Sequence, residues 1–333
     1  MGAMKVNIKE VALKAGVSTA TVSRVINKTR FVSTKTESKV LEVMRVLDYS
    51  PNLIAQSLRS QRSKIIGVLI PDFDNFFFTN VVRGIEETLR KNGYNIILGS
   101  SEEDPELERE RVKAFNSQQV DGLIITSTSK EQGYLKDMLS GKYPLVFVDR
   151  MQNNYDADCV LLDDTKSTYE ATSLLLSKGY RRIGLITGLP WSSTTRERIL
   201  GYERAFKRYN YEVEPSLIKS GNFKYESGYE LARKLVTEYR VEALFVSNSL
   251  MTIGAMVCLK ELKLKIPSQI AIVGSDDYTW AMITDPPMTV VKQPAYELGA
   301  KAATVLIDRI ENPDKPFDVY RLSESTLVLR DSC

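Results

Sequence analysis

The sequence contains no histidine. That removes the side chain used most often as a general base and as a metal ligand, so the case for an enzyme is weakened before any motif is read. The motifs GxGxxG, GxxxxGK[ST] and GxSxG are missing as well. Only three cysteines occur, Cys159, Cys258 and Cys333. They are far apart and show no CxxC spacing, which fits reduced thiols better than a disulfide framework or a zinc site. No run of about 18 apolar residues is present, so no segment reads as membrane-spanning. The N-terminus has no apolar stretch like a signal peptide, and a cytoplasmic, nucleoid-associated protein is expected. What remains is a chain of 333 residues, 43% hydrophobic and 26% charged. At ~100–200 residues per domain it should form two or three globular units.

The net charge of +3 is unevenly spread. Residues 1–64 hold 12 Lys and Arg against 4 Asp and Glu, whereas the rest of the chain carries a balance of −5. A basic segment ahead of an acidic body is the footprint of a nucleic-acid-binding module tethered to something else. Its apolar residues argue against a solvated tail. Ile8, Val11, Ala12 and Ala15 fall at helical spacing behind Asn7, a natural N-cap, which predicts a helix over Asn7–Lys14. Gly16 can take the positive φ of a tight helix-to-helix turn, with Val17 as an apolar plug. Ser18 caps a second predicted helix, Thr19–Asn27, whose inner face is Val22, Val25 and Ile26. Its outer face carries Thr19, Ala20, Ser23, Arg24 and Asn27, small or polar groups that fit a major groove. A third helix, about Thr34–Leu47, turns Val40, Val43, Met44 and Leu47 inward. Three short helices with a glycine turn make a helix-turn-helix unit; a bland helical hairpin would explain the spacing equally well, but not the charge.

Ile8-Lys9-Glu10-Val11-Ala12, Ala15-Gly16-Val17-Ser18 and Thr21-Val22-Ser23-Arg24-Val25-Ile26-Asn27 closely resemble the headpiece of the LacI/GalR family. The match continues through Tyr49-Ser50-Pro51-Asn52 and Ala55-Gln56-Ser57-Leu58-Arg59, which resembles that family's hinge helix, with Gln56 where Arg is usual. The resemblance covers the whole chain. It implies that Thr19, Ala20 and Arg24 approach base edges, Arg24 reading a guanine. Ser18, Thr21, Ser23 and Asn27 would anchor phosphates. In the hinge, Leu58 would wedge into the minor groove, Ala55 would let two hinge helices pack, and Asn52 belongs to the same segment.

From Ile65 onward apolar runs alternate with helical stretches. Strands are predicted at Ile65–Ile70, Tyr94–Leu98, Gly122–Thr126, Leu145–Val148, Ile183–Thr187, Ala243–Val246 and Ile270–Val273. Helices are predicted at Asn80–Asn92, Glu106–Ser117, Thr165–Ser177, Arg196–Tyr209, Tyr225–Glu238 and Met251–Leu262. The alternation argues for α/β with parallel sheets. The expected fold is thus an all-α helix-turn-helix headpiece (1–50), a hinge (51–64) and an α/β periplasmic-binding-protein-like core (65–333). That core should comprise two three-layer α/β/α lobes, about 65–161 plus 293–320 and 162–292 plus 321–333.

Ligands of open α/β sheets bind beyond the carboxyl ends of the strands, so polar and aromatic residues there are the candidates. Asp72, Asn75, Phe77 and Phe78 follow the first strand. Rings there can stack on sugar C–H faces while carboxylates accept hydroxyl protons. Asp149, Arg150, Arg198, Asn248, Asp276 and Gln293 sit at later strand ends or in the segments that follow them. Each alone is weak, because charged loop residues are usually just solvated; their shared placement carries the argument. The resemblance places matching positions in the cleft between lobes, and Asp149-Arg150 and Asn75 look most like ribose-type pockets. Two departures stand out: Asn248-Ser249 replaces the common Asn-Asp, and Ser275 replaces an aromatic, for which Trp280 is a candidate substitute. The expected function is a DNA-binding transcription regulator, a repressor, acting as a homodimer on double-stranded operator DNA. It would be controlled by a small sugar or sugar-phosphate effector, with no cofactor or metal. The alternatives are control by a phosphocarrier protein as corepressor, a sugar-binding receptor, or an enzyme. The chain ends at Cys333, just after a final strand-like run, Ser325–Arg330, without a heptad extension, which points to a dimer rather than a tetramer.

Overall fold

The computed structural model describes residues 6–27, 30–49, 62–130, 134–139, 143–152 and 156–333. The chain divides into two compact units, Met1–Ser63 and Lys64–Cys333. Asn52, Ala55 and Leu58 of the expected hinge lie outside the described residues.

In the first unit three helices, α1 (Ile8–Ala15), α2 (Thr19–Asn27) and α3 (Thr34–Val46), pack around Val11, Ala12, Ala15, Val22, Val25 and Val40. The Asn7 side chain accepts from the Lys9 and Glu10 backbone N–H groups and donates to the Glu10 carboxylate, satisfying two orphan donors of α1. Gly16 takes φ +64°, where a Cβ would be strained, and the chain turns sharply into α2. Ser18 Oγ accepts from Thr21 N–H (3.1 Å) and Ser33 Oγ accepts from Thr36 N–H (3.4 Å), so both later helices begin on a serine cap.

The second unit alternates strands and helices. Its first half runs β1 (Ile65–Ile70), α4 (Phe76–Lys91), β2 (Asn95–Ser100), α5 (Pro105–Ser117), β3 (Gly122–Ile125), α6 (Tyr134–Leu139), β4 (Leu145–Val148) and β5 (Asp158–Leu162). There follow α7 (Asp164–Ser177), β6 (Ile183–Thr187), α8 (Ser193–Arg208), β7 (Ile218–Ser220), α9 (Tyr225–Thr237), β8 (Ala243–Val246), α10 (Ser249–Glu261), β9 (Ala271–Ser275) and α11 (Thr279–Ile283). The chain closes with β10 (Thr289–Lys292), α12 (Ala295–Glu311), β11 (Val319–Leu322) and β12 (Thr326–Val328).

Two six-stranded sheets result, ordered β11-β5-β4-β3-β1-β2 and β12-β10-β9-β8-β6-β7. The orders are equivalent strand for strand, so β4 and β9 occupy the same place, although the edge strand β11 runs parallel to β5 and its counterpart β12 antiparallel to β10. The one antiparallel pair among the described strands is β10 with β12. Apolar clusters lie on both faces of each sheet, which makes two three-layer lobes.

The predicted strands Ile65–Ile70, Leu145–Val148, Ile183–Thr187 and Ala243–Val246 stand as predicted, while most helices begin one to four residues earlier than the apolar pattern indicates. Those extra residues follow polar caps such as Asn75, Asp104, Asp163 and Asn248. In the first lobe α4 and α12 cross at close range: a Cβ on Gly84 would sit 2.1 Å from the Tyr296 carbonyl oxygen, and one on Gly299 1.9 Å from that of Val81. α12 is tied down at its far end. Arg309 forms a buried two-pronged pair with Asp158 (2.9 and 3.1 Å) and donates to the carbonyls of Pro313, Lys315 and Pro316. Removing one member of such a pair costs about 3–5 kcal/mol, because the other is left buried and charged.

Candidate functional site

On α2, Thr19, Ala20 and Arg24 are exposed, while Val22 and Val25 hold the opposite face in the core. This is what a helix needs in order to present side chains to a groove while its back is anchored. Ser18 is exposed, its hydroxyl 3.0 Å from that of Thr21; Thr21 and Ser23 are half-buried. Asn27 closes the helix, and its side chain lies outside the described residues.

In the second unit the carboxyl ends of both sheets face one another across a cleft. Asn75, Phe77, Phe78, Asp149, Arg150, Arg198, Asn248, Asp276 and Gln293 line a single cavity there, joined by Thr194, Phe223 and Ser247. Two of the polar residues are helix caps: Asn75 Oδ1 accepts from Phe77 N–H (3.0 Å) and Asn248 Oδ1 from Met251 N–H (2.9 Å). Asp149 and Asp276 are counterparts. Each follows the equivalent strand of its sheet, takes a left-handed φ (67° and 69°), and is fixed by its N–H bonding to the neighbouring strand, at the Val160 and Val291 carbonyls.

Both arginines are held by carboxylates. Arg150 grips Glu103 through both terminal nitrogens (2.8 and 2.7 Å) and lies over the Phe223 ring at 4.4 Å. Arg198 donates from Nε to Asp164 at 2.8 Å. Burial pushes Asp149 and Asp276 up to about 7; the guanidiniums pull against this and the neighbouring carboxylates reinforce it.

The cavity is small, about 20 Å³, with room for little more than one water. Contacts between the lobes shut it. Ser249 Oγ donates to Asn75 Oδ1 (3.1 Å), Met151 N–H to Ser193 Oγ (3.1 Å), and Trp191 Nε1–H to the Thr128 carbonyl (3.2 Å). The rings of Phe76 and Tyr278 meet at 5.3 Å. A ligand larger than water enters only when the lobes part.

Residues 63–326 match the family model of periplasmic binding proteins and the sugar-binding domain of the LacI family, and residues 7–52 match that of bacterial regulatory proteins of the lacI family. The chain belongs to the LacI family. It is a transcription regulator rather than an enzyme. It is 35% identical over 332 residues, 98% of each chain, to the HTH-type transcriptional repressor PurR of Haemophilus influenzae. It is 34% identical over 327 residues, again 98% of each chain, to the ribose operon repressor of the same species. Among solved structures it resembles the lac repressor dimer bound to operator and the anti-inducer ONPF, with TM-score 0.82, 25% identity and 99% of each chain covered.

The structure brings nine of the ten ligand candidates together in one cavity. Asp72 is elsewhere: it lines a separate, acidic recess with Asp74, Glu102 and Lys224, because its strand end turns away before Asn75 caps α4. Trp280 does not supply the missing stacking face either. It lines a groove of about 1130 Å³ with Met256, Tyr278 and Ile283. Phe223 is the aromatic that sequence reasoning missed. It sits in the loop between β7 and α9 at φ +66°, and its ring occupies the space a side chain on Gly188 would fill. Thr194 and Ser247 carried no signal beyond being polar residues near predicted strand ends. Among the described residues, no helix is long and apolar enough to cross a membrane.

Proposed function

We propose that this LacI-family regulator is a repressor that binds a near-palindromic operator as a homodimer and is switched by a small neutral sugar between its lobes. The observation that carries the effector half is the convergence of nine side chains, from strand ends and the helices that follow them, on one buried cavity. Three phenylalanines offer faces to C–H groups, and Asp149, Asp276, Asn248 and Gln293 offer hydroxyl partners. A phosphorylated sugar is disfavoured, since Arg150 and Arg198 are already engaged by Glu103 and Asp164 and two further carboxylates face the space. The names of the ribose operon repressor and of the family's sugar-binding domain support the same class.

In the headpiece (1–50), Thr19, Ala20 and Arg24 read bases and Ser18, Thr21, Ser23 and Asn27 hold phosphates. In the hinge (51–64), Leu58 enters the minor groove and Ala55 and Asn52 support the helix pair. The core (65–333) binds effector and pairs the protomers, and the regulator acts on the nucleoid in the cytoplasm. Pairing follows from two-fold operators and is supported by the operator-bound dimer among its structural neighbours. Ligand entry parts and re-closes the lobes and so biases the hinge, which as a short helix is marginal by itself.

A thermal-shift screen of free and phosphorylated monosaccharides, pentoses first, tests the effector class. A ligand at about 100 times its Kd stabilises by about 2.7 kcal/mol. A free sugar should score on the wild type and fail on Arg198→Ala. A panel that is flat throughout refutes the sugar and leaves a phosphocarrier protein as the effector to examine.

A further inference from the structure

The cleft holds more negative charge than its cations balance. Asp149, Asp276, Asp164 and Glu103 all have buried side chains there, against two guanidiniums. Each guanidinium is committed, Arg150 to Glu103 and Arg198 to Asp164. Among the described residues, the salt bridge of Asp149 is to Arg150 Nε at 3.7 Å, beyond hydrogen-bond reach, and that buried Nε has no hydrogen-bond partner there; Arg198 acts on Asp149 from farther off. Asp276 forms no salt bridge among the described residues; the Ser249 hydroxyl and Arg198 act on it electrostatically.

Among the described residues, the charges that act most strongly on the two aspartates are Arg150, Arg198, Asp164, Glu103 and, on Asp276, Asp149. Glu103 comes from the loop after β2, Asp164 from α7 and Arg198 from α8. Tyr278 follows Asp276, and Asp277 between them is taken by Arg330. When the lobes part, water reaches these carboxylates and they ionise in the ordinary range near 4. When the lobes close on a space of about 20 Å³, that water leaves and like charges from both sheets are brought together in a poorly screened interior. Burial, reinforced by this repulsion, is what lifts both aspartates to about 7.

We propose that closing the empty cleft takes up a proton, held by the Asp149 and Asp276 pair, so that lobe closure is itself pH-sensitive. The closed form binds more protons than the open one, so acid favours closure. For one proton the closure equilibrium falls up to tenfold per pH unit between about 4 and about 7, and levels off above that. The proton belongs to the pair rather than to either residue, because the two sites interact. The mechanism concerns the empty cleft and does not depend on which effector the regulator binds, so failure of the sugar screen leaves it standing.

The molecule carries its own reporter. Of two tryptophans, Trp191 bridges the lobes through its bond to the Thr128 carbonyl, with Lys130 3.7 Å from its ring. In the full-length Trp280→Phe protein without ligand, Trp191 emission should move to the red as pH rises from about 5 to about 7.5, then stay constant. The same titration on Asp149→Asn and on Asp276→Asn should show a smaller transition, because the remaining aspartate is still buried on closure, and the Asp149→Asn/Asp276→Asn double variant should be nearly flat, with circular dichroism verifying the fold. Flat emission in the Trp280→Phe parent, or an unchanged transition in the double variant, overturns the proposal. Should either variant fail to fold, small-angle scattering of the wild type decides: a radius of gyration that grows across this range supports proton-linked closure, and a constant one overturns it.

Discussion

Replacing Gly299 by alanine tests how α4 and α12 hold the first lobe and, through it, the cleft. In an open helix this change would stabilise by about 1 kcal/mol, because alanine loses less backbone freedom. Here the added Cβ lands 1.9 Å from the Val81 carbonyl oxygen, a backbone atom that cannot rotate away. The helices must separate by roughly 1 Å or more, and overpacking of this kind costs ~1–3 kcal/mol, at the upper end where backbone is struck. Strain should win, giving a net loss of about 1–2 kcal/mol. Gly84→Ala strikes the Tyr296 carbonyl oxygen from the other side at 2.1 Å, so once one Cβ has parted the helices the second should cost less. Because α4 carries Phe77 and Phe78 into the cleft, ligand affinity should fall in both variants although neither glycine touches the cavity. Urea unfolding of the full-length chain would supply the midpoints, with constant m values required. A Gly299→Ala protein as stable as wild type, or a strictly additive double variant, would show that the close crossing of α4 and α12 does not limit stability.

Other expectations are narrower. Arg24→Ala should cost ~1–3 kcal/mol of base discrimination; equal weakening on specific and random DNA, measured by anisotropy, would make Arg24 a phosphate contact instead. Leu58→Ala should lower operator affinity while leaving the thermal transition of the core unchanged. Stability should also depend on pH with a definite sign. Asp149 and Asp276 rise from 3.8 to about 7 on folding, so their contribution is fullest below about 4 and is lost as pH climbs through about 7. Raising one such carboxyl this far corresponds to roughly 4 kcal/mol at alkaline pH, and the interacting pair should not double it. Asp149→Asn, which tolerates the left-handed backbone, should therefore melt higher than wild type at pH 8 and lose most of that advantage at pH 5. An advantage that does not change with pH would contradict the assigned cause.

The parts that were legible in the sequence are those where local chemistry and burial agree. Ile65–Ile70 and Leu145–Val148 are unbroken apolar runs because they lie in the interior of a sheet covered on both faces. β5 escaped because it begins on Asp158, whose charge reads as a loop until Arg309, far along the chain, pairs with it. β11 is a sheet-edge strand with exposed positions, so no apolar run marks it, whereas β12 lies within the strand-like run Ser325–Arg330. The ligand candidates were found by one rule, strand ends, which served Asn248 and Asp276 well. It gave Asp72 too much weight, because the rule does not say where the chain turns next. Phe223 was invisible for the opposite reason: it reaches the cavity from a loop, held by packing against Gly188 rather than by any pattern in its neighbours. The equivalence of the two sheets was hidden as well, since topology repeats here without an evident sequence repeat.

Whether the regulator reads DNA sequence as a dimer can be decided by selecting random duplex DNA on the full-length protein and sequencing what is retained. One near-palindromic consensus is expected, with half-sites about one helical turn apart, and it should be lost when Arg24→Ala protein is used. Retained DNA without a consensus, or a single unpaired half-site, would contradict a sequence-reading dimer.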